Sequence, residues 1–150
     1  MEATNITTNK KAHFEYHISD TFEAGLILTG TEIKSVRAMQ VNLNESYCTF
    51  AGGELFVKGM HIAEYKFGTH YNHEAKRTRK LLLNKKELKK LLTKVKEKGF
   101  TIIPVRMYIT EKGLAKLEIG LAKGKKLFDK RQDLKKKDAK REIERESKVR

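Results

Sequence analysis

Apolar and polar positions change their period several times along this chain, and each change marks an element. Phe14, Tyr16 and Ile18 alternate with His13, Glu15 and His17, so the run from Asn9 to Ser19 reads as a strand with one buried face. Residues 1–9 are polar and read as loose. Asp20 and Thr21 are expected to turn the chain, and Leu26, Ile27 and Leu28 form a short β-prone run behind Gly25. Thr29 and Glu32 have the T-x-x-E spacing of a capping box, in which each side chain satisfies a backbone N–H at a helix start. The short helix that follows turns Ile33 and Val36 toward a core and Lys34, Ser35 and Arg37 away from it.

Val41 to Leu43 and Tyr47 to Phe50 read as one long or bulged strand. Gly52-Gly53 makes a hairpin turn, and Glu54 to Met60 returns. Residues 61–80 show no period and read as a long irregular connection, a kind of segment that is usually functional or mobile. Asn84 is a good N-cap with Glu87 three residues on. Leu88, Leu91, Leu92 and Val95 then make an i, i+3, i+4, i+7 stripe that Gly99 ends. The lysines of its outer face read as solvated. Phe100 to Thr110 is a strand containing Pro104, which cannot donate to a ladder, so the strand lies at an edge or is bulged there. Ala115, Leu117, Ile119 and Leu121 alternate in a returning strand.

From Gly124 the alternation stops. Residues 123–150 hold 13 Lys+Arg against 6 Asp+Glu, and Leu134, Ile143 and Val149 are too far apart to form a stripe. The expected division is a folded unit over 1–123 and a basic tail over 124–150, disordered when free and helical in an anionic groove. About six short strands, a capping helix and an amphipathic helix predict a mainly β fold. A small closed antiparallel barrel of this kind resembles an OB-fold, a common nucleic-acid scaffold.

Charge narrows the partner. The 150 residues carry 33 Lys+Arg against 19 Asp+Glu, a net +14, which favours nucleic acid over a neutral ligand. A membrane fits less well, because no apolar run nears the ~18 residues of a span and no basic helix carries aromatic anchors. The N-terminal run lacks the apolar core of a signal peptide, so a cytoplasmic location is expected. Cys48 is the single cysteine, which excludes an internal disulfide and a Cys-based zinc site; it reads as a small core residue.

No phosphate loop, nucleophile elbow or paired-carboxylate motif is present, so no enzyme activity, metal or cofactor is expected. The enzyme rival is a metal-dependent nuclease using His70, His73 and Glu74, but such a site needs converging ligands with a fixed second shell. Recognition chemistry is better represented. On an extended segment Arg77 and Arg79 point the same way and can straddle successive phosphates, with Lys80 beside them. The run from Gly124 to Arg131 mixes bases with Phe128, whose ring can stack on an unpaired base. A general OB-fold RNA chaperone or translation factor would satisfy these features.

Four runs carry a more specific resemblance: NKKAHFEYHI, FEAGLILTGTEIKSVR, RTRKLLLNKKEL and LAKGKKLFDKR. With them the chain resembles the bacterial SsrA-binding protein (small protein B, SmpB) family from about Asn9 to the tail. The resemblance implies a non-enzymatic, monomeric RNA-binding protein of trans-translation. It implies binding to the tRNA-like domain of transfer-messenger RNA and delivery to the empty A site of a stalled ribosome. There the tail would probe the small-subunit decoding centre and the vacant messenger channel. Coupling to elongation factor Tu and alanyl-tRNA synthetase is implied as well. By motif, the implied RNA-binding residues are Lys10, Lys11, Glu32, Lys34, Ser35, Arg37, Arg77, Arg79 and Lys80. The implied decoding-centre residues are Gly124, Lys125, Lys126, Phe128, Asp129, Lys130 and Arg131. Phe128 stands where the family often has His or Tyr, which keeps a stacking face and drops a polar edge. Ala75 stands where relatives usually have Pro.

Overall fold

The computed structural model describes residues 4–68, 72–97 and 99–124, with Arg131, Leu134 and Lys135 beyond them. In chain order the elements are β1 (Thr4–Thr8), α1 (Lys10–Glu15), β2 (Tyr16–Leu26), α2 (Gly30–Arg37), β3 (Val41–Asn42) and β4 (Tyr47–Ala51). They continue with β5 (Glu54–Lys58), β6 (His61–Ile62), β7 (Arg79–Leu82), α3 (Lys85–Val95), β8 (Phe100–Ile109) and β9 (Ala115–Gly124).

The strands build the expected mainly β, closed antiparallel architecture. Hydrogen-bonded neighbours run β8-β4-β5-β7-β2-β9, and β9 pairs back onto β8, so these six strands form a ring. β1 is added to the free half of β8, and β3 pairs separately with β6. Inside lie Leu55, Val57, Leu81, Ile102, Met107, Leu117, Ile119 and Leu121, which alternate with outward residues along their strands. α2 contributes Val36 and α3 contributes Leu91 to the same core, with Leu88 and Val95 packed against it. Cys48 is buried as expected, and burial pushes its thiol pKa far up.

The N-terminal fifth differs from the sequence expectation. Residues 4–8 are not loose but form β1, antiparallel to β8, with Ile6 buried. The segment from Lys10 to Glu15 is a helix, and the strand begins only at Tyr16. Asn9 accounts for both. Its Oδ1 accepts from the Ala12 N–H at 3.2 Å, its Nδ2 donates to the Pro104 carbonyl at 2.9 Å, and its own N–H donates to Val105 O at 2.7 Å. A buried N-cap therefore starts α1 and ties it to β8. β2 runs straight through Asp20 and Thr21, where a turn was expected. Its pairing to β9 shifts between Ile18 and Asp20, and the bulged Ser19 donates its hydroxyl to Leu121 O.

β8 is bulged, with a register shift between Pro104 and Arg106, but it is no edge strand. Pro104 sits where the partner on one side changes: β4 pairs at Ile102 and β1 from Arg106 onward. The missing N–H falls in that interval, and Asn9 takes the two local carbonyls. The expected single strand from Val41 to Phe50 is two strands. Leu43 O accepts from both the N–H and the hydroxyl of Ser46, closing a turn between β3 and β4.

Candidate nucleic-acid interface

The capping box forms as the spacing predicts: Thr29 N–H donates to Glu32 Oε1 at 2.9 Å and the Glu32 N–H meets the Thr29 hydroxyl. Glu32 then does more than cap. Its side chain is fully buried, as are Ser35 and Val36, which share its helix face at i, i+3 and i+4. Arg77 Nη2 donates to Glu32 Oε1 at 2.6 Å, and Arg79 Nε donates to Oε2. One carboxylate is thus held by two guanidinium groups.

Arg79 has no exposed surface. Its remaining donors reach Met60 O at 2.6 Å, Ala75 O at 3.0 Å and Glu74 O at 3.4 Å. It therefore joins β7, α2, the end of β5 and the connection after β6 in one hydrogen-bonded node. His73, also buried, adds a second tie between the same parts. Its Nε2 lies 2.9 Å from the Ile62 carbonyl and its Nδ1 lies 2.9 Å from the Thr31 hydroxyl. A carbonyl can only accept, so Nε2 carries the proton. In the neutral ring Nδ1 then accepts from Thr31. Ala63 N–H donates to Gln40 O and Ile62 N–H to Ala75 O, which lays the connection along the end of α2. The Ala75 carbonyl is thus used twice.

Burial by itself would raise the Glu32 pKa. Hydrogen bonds from Arg77, the Thr29 N–H and Arg79 outweigh it and bring the carboxyl down to about 2. Burial also draws Arg79 below the ordinary guanidinium value while Glu32 opposes it, and a group that starts so high stays cationic. One carboxylate against two guanidiniums leaves one positive charge. It sits outward, on the half-buried Arg77.

This geometry sorts the residues expected to meet RNA. Arg77 and Arg79 do point the same way, and both converge on Glu32. Arg79, Glu32 and Ser35 lie beneath the surface, with almost no exposure. The buried face of α2 holds Glu32, Ser35 and Val36, where the sequence alone pairs Ile33 with Val36, and Ile33 is only half buried. Lys34 and Arg37 are exposed on α2. Lys80 faces outward from β7 and donates to Glu54 at 2.9 Å. Lys10 and Lys11 lie apart from the node and line a polar depression with Asn42 and Asn44; Lys11 is paired with Glu45 at 3.2 Å. Gly124 is exposed at the end of β9, and Arg131 is exposed and helical. Lys125, Lys126, Phe128, Asp129 and Lys130, like His70, lie outside the described residues.

The sequence reading passed over Tyr65, Lys66, Phe67 and Asn72. Lys34 Nζ lies 5.2 Å from the centre of the Tyr65 ring, so the α2 surface continues into this loop. The signal was legible: two aromatics at i, i+2 around a lysine, in a stretch without period. Among the described residues no group of three His, Cys, Asp or Glu converges on a metal position, and His73 is engaged by Thr31 and Ile62. Among them, too, no helix is long and apolar enough to cross a membrane.

Comparison with known proteins gives one answer three times. A family model described as SmpB protein matches residues 6–149. The SsrA-binding protein of Phocaeicola vulgatus is 60% identical over 137 residues, covering 91% of each chain. That of Flavobacterium psychrophilum is 58% identical over 145 residues, covering 97% of this chain and 96% of its own. A solved chain described under "tmRNA-SmpB: a journey to the center of the bacterial ribosome" superposes with a TM-score of 0.69 at 43% identity, covering 85% of this chain and 87% of that one.

Proposed function

Because this chain belongs to the SmpB protein family, we propose that it is the RNA-binding adaptor of trans-translation in its cell, binding the tRNA-like domain of transfer-messenger RNA and bringing it to stalled ribosomes in the cytoplasm. The observation that carries this reading is the Glu32–Arg77–Arg79 node. It fixes α2 against β7 and the connection before any ligand arrives, with Lys34, Arg37 and the rim of Arg77 facing outward. Folded RNA with a bent, tRNA-like shape is recognised through phosphates, 2′-hydroxyls and unstacked bases. A rigid basic surface meets that need without a catalytic pocket. Glu32 and Arg79 act by shaping this surface; Lys34, Arg37, Arg77 and Lys80 act as contacts. Lys10 and Lys11 form a second basic point, on the side of α1.

The tail from Gly124 onward is assigned to the decoding centre and the empty messenger channel, with Phe128 as a stacking residue. Its composition supports the assignment: 13 bases over 123–150 give strong and salt-dependent attraction to RNA. All ring strands end by Gly124, so a chain stopped there retains them.

The deciding experiment is competition binding at near-physiological salt, with a transcript of the tRNA-like domain against a plain hairpin of equal length. A preference of about a hundredfold, about 2.7 kcal/mol, is expected. Equal binding would leave a general RNA-binding module. The chain stopped after Gly124 should keep the preference and lose rescue of stalled ribosomes in a translation extract; parallel loss of both would overturn the division of labour.

A further inference from the structure

Phe67 is 74% exposed, the most exposed of the large apolar side chains described. The segment that carries it is nevertheless held in place. The Asn72 amide clasps the Tyr65 backbone from both sides, accepting from its N–H at 3.1 Å and donating to its carbonyl at 2.9 Å. The Gly68 N–H also donates to the Tyr65 carbonyl at 2.9 Å, and a Cβ at Gly68 would collide with the Asn72 amide. Tyr65 is half buried and meets the Phe67 ring edge to face, with centroids 5.7 Å apart and planes at 70°. Lys66 Nζ lies 5.8 Å from the Phe67 ring centre, and Lys34 Nζ of α2 lies 5.2 Å from the centre of the Tyr65 ring.

We propose that Phe67 is a stacking platform for one unpaired nucleobase, with Tyr65 as its brace and Lys66 and Lys34 as contacts for the flanking phosphates. The inference rests on the RNA-binding reading above and adds to it a residue and the part of the RNA it takes. The chemistry selects this ligand. A lone exposed ring flanked by Lys66 and Glu64 is too small and too charged at its rim to be an apolar protein interface. Within a duplex the base faces are stacked on one another and closed to a ring. An unpaired base offers a π-face for the ring and two phosphates for the lysines. The aromatic brace and the Asn72 clasp fix the ring beforehand, so little ordering remains when the base arrives.

The chain contains no tryptophan, so Phe67→Trp in the full-length protein is a single fluorescent reporter at the proposed contact. Its emission should be quenched by the tRNA-like domain transcript and unaffected by a blunt duplex of the same length. Phe67→Ala should weaken binding of that transcript on the order of 5- to 100-fold and leave duplex binding and thermal stability unchanged, while Phe67→Trp binds like the parent. An affinity within twofold of the parent, or equal losses on both RNAs, overturns the proposal. So does a loss confined to ribosome binding, which would make Phe67 a protein or ribosome contact. If the parent protein keeps its preference for the transcript while Phe67→Ala matches it, the stacking assignment fails and the RNA-adaptor reading stands. If the parent shows no preference, both fall.

Discussion

Arg79 and Glu32, 47 residues apart, meet as an ion pair with both side chains fully excluded from water. Two charges in that position are held by surrounding partners: Arg79 by three carbonyls, Glu32 by Arg77 and the Thr29 N–H, while the Nε of Arg77 alone stays buried without a partner among the described residues. Removing one partner leaves the other charged and buried. Glu32→Ala and Arg79→Ala should each cost about 3–5 kcal/mol of folding stability. The double variant should cost much less than their sum in urea denaturation, because neither charge is then stranded. Additive losses would mean the two side chains act independently.

The same carboxylate makes stability depend on acid. Its pKa is about 2 in the fold against an ordinary 4.5. A depressed carboxyl contributes stability that is complete above the ordinary value and disappears as pH falls through the folded one. The window is therefore pH 4.5 down to about 2, and the contribution at neutral pH is about 3 kcal/mol. Glu32→Gln should be less stable than the parent at pH 7, and the gap should close as pH drops through that window. A constant gap between pH 6 and pH 2.5, read by denaturant titration, would remove Glu32 as the source.

Met39, just past the end of α2, has φ of +59°, the one non-glycine residue in the left-handed region among those described, and its side chain is exposed. A Cβ in that region is strained. Met39→Gly should raise stability by up to about 1 kcal/mol, after allowing for the extra freedom glycine gives the unfolded chain. Gly59 is the converse case. With φ of +75° and the Glu45 carbonyl oxygen 2.5 Å from where a Cβ would stand, Gly59→Ala should be among the most damaging single-methyl changes in the chain. Calorimetric melting of the two variants against the parent gives both signs.

Lys34 and Lys90 carry the same charge in different places: Lys34 on α2 beside Tyr65, Lys90 on the solvated face of α3 near Asp20. Lys34→Ala should weaken binding to the tRNA-like domain several-fold and flatten the salt dependence by about one unit of slope. Lys90→Ala should change neither by as much. Equal effects from both would mean that overall charge, and not the α2 surface, decides affinity.

What could be read from the sequence was whatever depends on near neighbours. The Thr29–Glu32 cap, the Leu88 to Val95 stripe, the Gly52-Gly53 turn and the alternation through β9 are all set within a few residues, and each forms as read. The parity of Arg77 and Arg79 was also legible; their destination was not. A sequence shows the sign of Glu32 and Arg79 but not that a ring of strands brings them together across 47 positions. β1 was missed for the same reason. TNITT has one apolar residue, and only the distant β8 gives its backbone partners. α1 was hidden because Phe14, Tyr16 and Ile18 keep a strand-like alternation across the helix–strand boundary, and because Asn9, which starts the helix, is anchored on Pro104, 95 positions away.

β9 has a mechanical consequence. It is the last strand of the ring, clamped between β2 and β8 along nearly its whole length, and its final residue, Gly124, is paired with Tyr16. Tension applied along the strand from the residues that follow is resisted by both ladders at once, in shear, and does not peel hydrogen bonds off one by one. A pull at Gly124 is thereby shared between two ladders, and the load reaches the ring through β2 and β8 together.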